Sequence, residues 1–550
     1  MWVWALILFL AAPDSARLHR EARRAQHDFE VLRRHHLPWT HPRGRGPCDE
    51  RIGRFCLWFG DPRPDWTPPP EPEPVRRARA RLVDRLERIA AQLPGDLWVR
   101  GQLVRYALEG GDLARAVHAA RGCRAEDAWC DLLRAWVAYA RGDGAAADSL
   151  GAAAEAALPP QERLRWRDLE PLLPDAEVGA YRRLPFAART VVTEVFWQLA
   201  DPLVLVPGND RRVAHRLRWL MDRLASGSEI PEDVAWGDDL RRLLLRYGWP
   251  VAWARERPDG PSLGLATGIV SIYPPRAWHF SPPLRAALQP STLAPGDWAL
   301  ADARAVTGHT PPYADRAFVP LAHQLVPFRR GGAPVWVAAV RLTDDTALTR
   351  LRPAADAYAA VGLFAGVPGP WRGVRDSVRL DRGRAALVLP APPVTSVVSV
   401  EAWIPSVGWA GRARYAATPP AAGDPSLSGL LLLEPDRPAR SLDEALTLAR
   451  GDTTLASGER VGLYWEVYDI DADSATVALR LEPRAGHGLL ARLRRPPPPL
   501  ELRWTEHPPT PARSLILGLP RLRPGAYRLR LELRTPDGRR WVTEQGVAVR

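Results

Sequence analysis

The stretch Tyr106-Ala107-Leu108-Glu109-Gly110-Gly111-Asp112 sets the organisation of the front half of this chain. Its Tyr-Ala pair recurs thirty-three positions further on, in the stretch Tyr139-Ala140-Arg141-Gly142-Asp143. In both places apolar residues at three- and four-residue spacing precede the glycine, and alanine-rich sequence follows the aspartate. Glycine ends helices and small alanines allow close packing, so each copy predicts a helical hairpin. The two copies predict a helical domain over residues 75–174.

The spacing of the two copies is similar to that of tetratricopeptide repeats, whose period is about thirty-four residues. The resemblance implies stacked helical hairpins that present a groove to a peptide or partner protein. A plain helical bundle without a binding groove is the alternative interpretation of the same residues.

The rear half of the chain follows a period of two. Near its end four apolar residues alternate with charged ones: Tyr527, Leu529, Leu531 and Leu533. Pro536-Asp537-Gly538 then turns the chain back, which is typical of an antiparallel hairpin. Val335, Val337 and Ala339 also follow a spacing of two residues. We predict two antiparallel β-sandwich modules, over 331–420 and 428–550, after an irregular connecting region over 257–330. The predicted fold class is a multidomain chain, α then β.

Between the two halves lies the stretch Trp236-Gly237-Asp238-Asp239-Leu240-Arg241-Arg242-Leu243-Leu244-Leu245-Arg246-Tyr247-Gly248-Trp249-Pro250. With the upstream pairs Phe196-Trp197 and Asp201-Pro202, it resembles the GWxTD domain of exported bacterial proteins. The likeness covers about sixty residues of a block over 185–256. Ala235 stands where the family has glycine, Asp238 where it has threonine, and Leu240-Arg241 where it has Arg-Gly.

The resemblance implies an exported protein with C-terminal sandwiches, and it brings no enzymatic mechanism. The positions that match the motif are Phe196, Trp197, Asp201, Pro202, Trp236, Asp239, Arg242, Tyr247, Gly248 and Pro250.

Asp238 and Asp239 are a pair of adjacent carboxylates, and such a pair can serve acid–base catalysis. They also come directly before an arginine-rich element, where aspartate caps a helix or pairs with Arg241 and Arg242. The structural role is the preferred interpretation. Trp236 is interpreted in the same way, as a core anchor.

The charge of the chain is basic but carried by arginine alone. All 75 basic residues are arginine, against 63 acidic residues, which gives a net charge of +12. They are spread along the chain and not gathered in one stripe, so nucleic-acid binding is not predicted. The absence of lysine excludes a P-loop, a kinase site and Schiff-base chemistry.

The N-terminus begins with an apolar run, Trp2–Ala12. Eleven residues are too few to cross a bilayer, but they suit a signal peptide, here predicted over 1–16. We therefore predict export to the periplasm or cell envelope; a mis-set start codon and a short membrane-surface anchor are the alternatives. Arg17–His36 predicts a solvated helix within a polar leader and proline-rich linker over 17–74. No later stretch is apolar enough to span a membrane.

The four cysteines form two close pairs, Cys48/Cys56 and Cys123/Cys130. In an oxidising compartment each pair closes a small loop, and we predict two disulfides. Free thiols and a four-sulfur metal site are the alternatives.

Two short patterns resemble sites. Gly260-Pro261-Ser262-Leu263-Gly264 has the letters of a nucleophile elbow but lacks the strand before it, so a loop is predicted. Asp469, Asp471 and Asp473 begin like a calcium loop, but Arg480 stands where that loop needs glutamate. A polar hairpin tip is predicted there, and calcium is the weaker alternative. No cofactor is predicted.

The sequence as a whole favours an exported, non-catalytic protein that binds a protein or an envelope component. The alternative function is an envelope hydrolase with a site near Asp238, Asp239 and Gly248.

Overall fold

The computed structural model forms two compact units, 1–288 with 298–315, and 289–297 with 316–550. It describes the following residues, with side chains from Ser15 onward: 3–40, 48–57, 69–256, 268–274, 276–301, 305–343, 345–367, 369–419, 422–484 and 500–550. The predicted order of a helical front half and a β-rich rear half is confirmed. The finer domain boundaries stay predictions, and the Ser262 motif lies outside the described residues. Among those residues, no helix combines the length and apolar character needed to cross a membrane.

The first unit is built from helices with short strands between them. Its helices are α1 Val3–His36, α2 Glu73–Gln92, α3 Leu97–Glu109, α4 Leu113–Arg121, α5 Asp127–Ala140, α6 Gly144–Ala157, α7 Pro160–Arg167, α8 Asp175–Arg182, α9 Phe186–Ala200, α10 Asp210–Ala225, α11 Asp238–Tyr247 and α12 Leu284–Leu288. Its strands are β1 Trp39–Thr40, β2 Glu50–Ile52, β3 Phe55–Leu57, β4 Ala252–Glu256 and β5 Ile269–Ile272.

The repeated glycine–aspartate turns form the two helical hairpins, α3–α4 and α5–α6. Gly111 and Gly142 have φ values of 76° and 78°, in the left-handed region that glycine adopts without strain. Asp112 and Asp143 follow them and cap α4 and α6, because each side chain accepts a hydrogen bond from a backbone N–H three residues on. The two predicted hairpins are confirmed, and in each the turn between the helices lies at the glycine–aspartate pair.

Helix α10 packs against these hairpins and is buried along most of its length. A Cβ atom on Gly101 of α3 would lie 2.2 Å from Cδ2 of Leu224 in α10. The side-chain amide of Gln102 donates to the carbonyl oxygen of Leu224 at 3.0 Å. On α6, a Cβ atom on Gly151 would lie 3.1 Å from Cδ of Arg216. The chain's own helix therefore covers a face that such hairpins would offer to a partner.

Helix α1 is an integral part of the first unit. Ala22 and Glu30 have no exposed surface, and Phe29 is 4% exposed. The prediction over Arg17–His36 is confirmed for the helix and wrong for its solvation, because one face packs on α2 and on Tyr106 of α3. Its buried charged residues are what made this face look solvated in the sequence.

The second unit is built from strands. They are β6 Ala317–Pro320, β7 His323–Arg330, β8 Ala333–Arg341, β9 Tyr358–Gly366, β10 Arg372–Arg379, β11 Arg384–Pro390, β12 Ser396–Ile404, β13 Trp409–Ala417, β14 Ser426–Leu427, β15 Leu431–Leu433, β16 Thr454–Leu455, β17 Arg460–Tyr468, β18 Ala475–Pro483, β19 Leu500–Glu506, β20 Ala512–Gly518, β21 Gly525–Arg534 and β22 Arg540–Val549. Two short helices accompany them, α13 Thr346–Leu351 and α14 Leu442–Leu448.

The strands form two sandwiches. In the first, the sheet β10-β9-β12-β13-β6 packs on β11-β8-β7; in the second, β14-β17-β15 with β20 packs on β16-β22-β21-β18-β19. Neighbouring strands are antiparallel except for β13 with β6 and β16 with β22. The prediction of antiparallel sandwich modules is confirmed.

Strand β8 has both faces buried. Val335, Val337 and Ala339 pack against β15, β17 and α14, whereas Trp336, Ala338 and Val340 face the core of the first sandwich. Burial on both sides explains why β8 is apolar along its whole length and does not alternate with charged residues, as β21 does.

Candidate interaction site around the motif helix

The motif stretch forms helix α11, here called the motif helix, and the turn after it. Leu240, Leu243 and Leu244 are buried and fix the face that it turns to the core. Gly248 ends the helix with a φ of 86°, and its N–H donates to the carbonyl oxygen of Leu244 at 2.9 Å. Pro250 follows, where the chain leaves the helix.

A small disulfide-closed hairpin, β2–β3, lies on the motif helix. Cys48 and Cys56 are bonded, with their Cα atoms 5.3 Å apart. Ile52 of the hairpin is 2% exposed and clusters with Leu240 and Leu243 of the motif helix. The second predicted disulfide, between Cys123 and Cys130, is also present.

The tip of this hairpin holds the motif carboxylate. Arg54 donates from Nε to Oδ2 of Asp239 at 2.7 Å and from Nη2 to Oδ1 at 2.8 Å, and its backbone N–H donates to Oδ2 at 3.2 Å. Gly53 has a φ of 55°, and a Cβ atom there would lie 2.5 Å from Cβ of Asp239. The hydrogen bonds from Arg54 lower the pKa of Asp239 to about 2. Asp239 is therefore ionised near neutral pH, and both of its carboxylate oxygens accept hydrogen bonds from Arg54.

The other polar side chains of the motif helix bind neighbouring segments. The indole N–H of Trp236 donates to Oδ1 of Asp222 on α10 at 2.8 Å, and Arg241 binds the same carboxylate at 2.9 Å. Arg242 binds Asp175 of α8 at 2.6 Å. Asp238, predicted to cap the helix or to pair with an arginine, is 95% exposed and pairs with Arg241.

Tyr247 and Arg246 anchor the other end of the motif helix. Arg246 has no exposed surface and donates to Glu50 of the hairpin at 2.5 Å and to two backbone carbonyls. The ring of Tyr247 lies 5.7 Å from that of Tyr273 on the loop after β5. Burial, the largest cause, raises the pKa of the Tyr247 hydroxyl above its ordinary value.

The upstream part of the motif lies in α9, and α10 connects it to the motif helix. Phe196 and Trp197 are buried, with Trp197 4.7 Å from the ring of His215 on α10. Nε2 of His215 lies 2.9 Å from the carbonyl oxygen of Trp166. Burial lowers the pKa of His215 to about 3. Asp201 and Pro202 are buried where α9 ends.

Sequence reasoning missed a buried charge cluster beside this block. It comprises Glu30, Arg33, Arg105 and Glu109, with Tyr106 donating to Glu30 at 2.6 Å. Burial disfavours ionised Glu109, but Arg33 and Arg105 outweigh it and lower the pKa to about 2. The three- and four-residue spacing of Glu30 to Arg33 and Arg105 to Glu109 was the available signal.

The sequence also gave no indication of a buried contact between His309 and Asp210. Both are nearly buried, and Nε2 of His309 lies 2.5 Å from Oδ2 of Asp210. Burial lowers the pKa of His309, against the opposing effect of Asp210. The pair fixes the segment around His309 to the first turn of α10.

Two open depressions flank the motif helix. The first, here called the Trp236 groove, has a volume of about 650 Å³; it is lined by Arg23, Arg24, Gln26, His27, Ser226, Gly227, Ser228, Glu229, Ala235 and Trp236. The second, the Arg242 cleft, has a volume of about 520 Å³ and is lined mainly by charged side chains of α7, α8 and α11, including Asp238, Arg241 and Arg242.

The calcium candidates lie in the turn between β17 and β18. Asp469 binds Arg329 at 2.8 Å, and the backbone carbonyl of Asp471 accepts from Arg539 at 3.1 Å. Asp473 lies two residues before β18. Within the described ranges, no three His, Cys, Asp or Glu side chains are grouped so that they could hold a metal ion.

Comparisons with known proteins bear on this arrangement only weakly. No model of a known protein family matches the chain, and no curated protein matches it. A solved tetra-tandem repeat in the extending region of a large adhesion protein is 13% identical, covers 42% of this chain and 49% of that chain, and has a TM-score of 0.15. Red sea bream transglutaminase is 12% identical, covers 42% of this chain and 31% of that chain, and has a TM-score of 0.12. This chain thus spans less than two thirds of either, and such low scores carry no functional information.

Proposed function

We propose that this chain is an exported, non-catalytic scaffold or binding protein of the bacterial envelope, similar to proteins with a GWxTD domain. The observation that carries the proposal is the binding of Asp239 by Arg54. The motif carboxylate, which a hydrolase would need free, holds the disulfide-closed hairpin on the motif helix.

Export is supported by the two disulfides. Disulfides form and persist in oxidising compartments, and both join cysteines close in sequence, with separations of 8 and 7 residues. The apolar run Trp2–Ala12 supports the same proposal, since it has the length of a signal-peptide core.

A scaffold role is supported by the contacts of the motif helix. Asp239, Arg242 and Arg246 bind three different segments of the first unit: the β2–β3 hairpin, α8 and the stretch around Leu173. These side chains hold segments of the first unit together. The two open depressions beside the motif helix are the surfaces that remain for partners.

The alternative is an envelope hydrolase at Asp238 and Asp239. A general acid or base works best when its pKa lies near the working pH, whereas the pKa of Asp239 is about 2. Asp238 is almost fully exposed to water, without the burial that tunes catalytic carboxylates.

The purified full chain, with an Asp239→Asn variant, tests the proposal. Both proteins are incubated with envelope peptides and glycans, and in parallel are cross-linked in an envelope fraction. We expect no turnover by either protein and a reproducible cross-linked protein partner. Turnover by the natural chain that the variant abolishes would establish the hydrolase instead.

A further inference from the structure

We propose that the Trp236 groove binds an acidic, extended peptide segment of a protein partner. The inference rests on the proposed binding function and names the site and the chemistry of the partner. The groove runs between α1 on one side and the loop that joins α10 to the motif helix on the other.

Arg23 on the α1 wall is held in position without a described carboxylate in direct contact, while its partner His19 lies 2.6 Å from Oδ2 of Asp96. Its Nη1 donates to the carbonyl oxygen of Gly227 at 2.7 Å, and its Nε to Nε2 of His19 at 2.9 Å. Its guanidinium carbon lies 5.1 Å from the centre of the Trp98 ring. Among the described residues, no acidic side chain pairs with it. A guanidinium that is held by a backbone carbonyl and a ring nitrogen, and that no carboxylate contacts, is preorganised for a carboxylate that comes from outside.

The rest of the groove adds to this positive charge. Arg24, the next residue of α1, is exposed and likewise has no acidic partner in the described part of the chain. Glu229 is the one acidic residue among those that line the groove, and it already lies 3.3 Å from His27 and 3.5 Å from Arg34. The positive charge of Arg23 and Arg24 is therefore not balanced by Glu229, and it favours an acidic ligand.

The Arg242 cleft offers an internal comparison. Three of its four arginines are matched within the chain: Arg182 with Glu170, Arg242 with Asp175, and Arg241 with Asp238. The fourth, Arg165, lies over the ring of Trp219, with its guanidinium carbon 4.8 Å from the ring centre. The lining of the Arg242 cleft balances its four arginines with four acidic residues, Asp168, Glu170, Asp175 and Asp238, whereas the Trp236 groove has two arginines and the single acidic residue Glu229. We therefore assign the acidic segment to the Trp236 groove.

The motif side of the groove supplies an apolar contact. The indole N–H of Trp236 is used by Asp222, and the ring packs on Trp249 with centroids 6.4 Å apart. What Trp236 offers in the groove is ring surface, beside the exposed Ala235. A segment in which acidic residues alternate with apolar ones would place carboxylates on Arg23 and Arg24 and an apolar side chain on Trp236.

The test is a fluorescence-anisotropy titration of the full chain with a labelled peptide of alternating glutamate and leucine. A lysine–leucine peptide and vesicles of phosphatidylglycerol serve as separate probes. The variants are Arg24→Glu and Ala235→Glu, with Arg183→Glu as the matched control. Arg183 is also an exposed arginine, but it lies at the end of α8 and outside the groove. Circular dichroism checks that each variant folds.

We expect the acidic peptide to bind, the lysine peptide not to bind, and binding to weaken with salt. Arg24→Glu and Ala235→Glu should each raise the Kd about tenfold, and Arg183→Glu should leave it within about twofold. Equal weakening by Arg183→Glu would show unspecific charge attraction and overturn the proposal. Binding to vesicles without binding to the peptide would overturn it in favour of a membrane surface. Absence of peptide binding, with a partner still cross-linked in the envelope fraction, would overturn the groove assignment and leave the proposed function standing.

Discussion

Arg54 binds Asp239 across a separation of 185 residues in the chain, through two side-chain hydrogen bonds of 2.7 Å and 2.8 Å. The contact joins the tip of the disulfide-closed hairpin to the first turn of the motif helix. It gives the carboxylate at the start of the motif helix a structural partner, and the proposed non-catalytic function depends on this contact.

Replacement of Asp239 by asparagine should destabilise the chain in a way that depends on pH. The pKa of Asp239 is about 2 in the folded chain and about 3.9 in an unfolded one. The stabilising contribution of the carboxylate is therefore complete above about pH 4 and is lost as the pH falls towards about 2. Urea unfolding of both proteins over this range should show a difference in the free energy of unfolding that narrows with acid. A difference independent of pH would contradict the ion pair.

Removal of the Cys48–Cys56 disulfide by a double serine variant should loosen the hairpin from the motif helix. By loop entropy the loss in the free energy of unfolding is about 2–3 kcal/mol, if unfolding is two-state. Hydrogen exchange of the backbone amides of Leu243 and Leu244 should become faster. The matched control removes Cys123 and Cys130, which close a loop of similar length in the α4–α5 connection. Faster exchange at the motif helix in the control alone would contradict the docking of the hairpin.

Gly101→Ala should push α3 and α10 apart. The new Cβ atom would meet Leu224 at 2.2 Å, and overpacking of this kind destabilises by about 1–3 kcal/mol. Gly179→Ala on α8 is the control, because nothing lies within 4 Å of its Cβ position, and it should be neutral or stabilise by up to about 1 kcal/mol. Thermal unfolding of the two variants makes the comparison. A stable Gly101→Ala chain would mean that α10 does not cover this face of the hairpins.

His215→Gln should reduce the sensitivity of the chain to acid. The pKa of His215 is about 3 in the folded chain, below about 6.5 in an unfolded one, because the ring is buried. As the pH falls from about 6.5 to about 3, the unfolded state therefore takes up a proton that the folded state does not, and stability declines. Urea unfolding across this range should give a shallower decline for the variant. An equally steep decline for the variant would contradict the burial of His215 as a neutral ring.

Local patterns sufficed to predict much of the fold. Gly111 with Asp112 and Gly142 with Asp143 carry both the break and the cap of their helices, so the hairpins could be placed from sequence. The alternation in β21 likewise reports one buried face.

Other features depend on contacts between distant segments. Glu30 and Arg33 look like surface residues of α1 until Arg105 and Glu109 of α3 are beside them. The two-residue spacing from Val335 placed alternate side chains on one face of β8. The sequence did not show that this face packs against β15, β17 and α14 while the opposite face lies in the core of the first sandwich.

The site was predictable in its residues but not in its geometry. The sequence indicated that Asp239 was structural and suggested Arg241 or Arg242 as its partner; the partner is Arg54. Nothing in the local sequence shows that a hairpin closed by Cys48 and Cys56 reaches the motif helix, because the intervening chain does not restrict the distance between them. The Trp236 groove was missed for the same reason, since α1 and the loop before the motif helix meet only in the fold.

A double-mutant cycle between Arg54 and Asp239 is the most direct test of the central claim. The free energy of unfolding is measured at neutral pH for the natural chain, Arg54→Gln, Asp239→Asn and the double variant. Because either replacement removes the same two side-chain hydrogen bonds, we predict that the double variant loses less free energy of unfolding than the two single variants added together. Losses that add in full would show that the two residues act independently, and would contradict a structural role for the motif carboxylate.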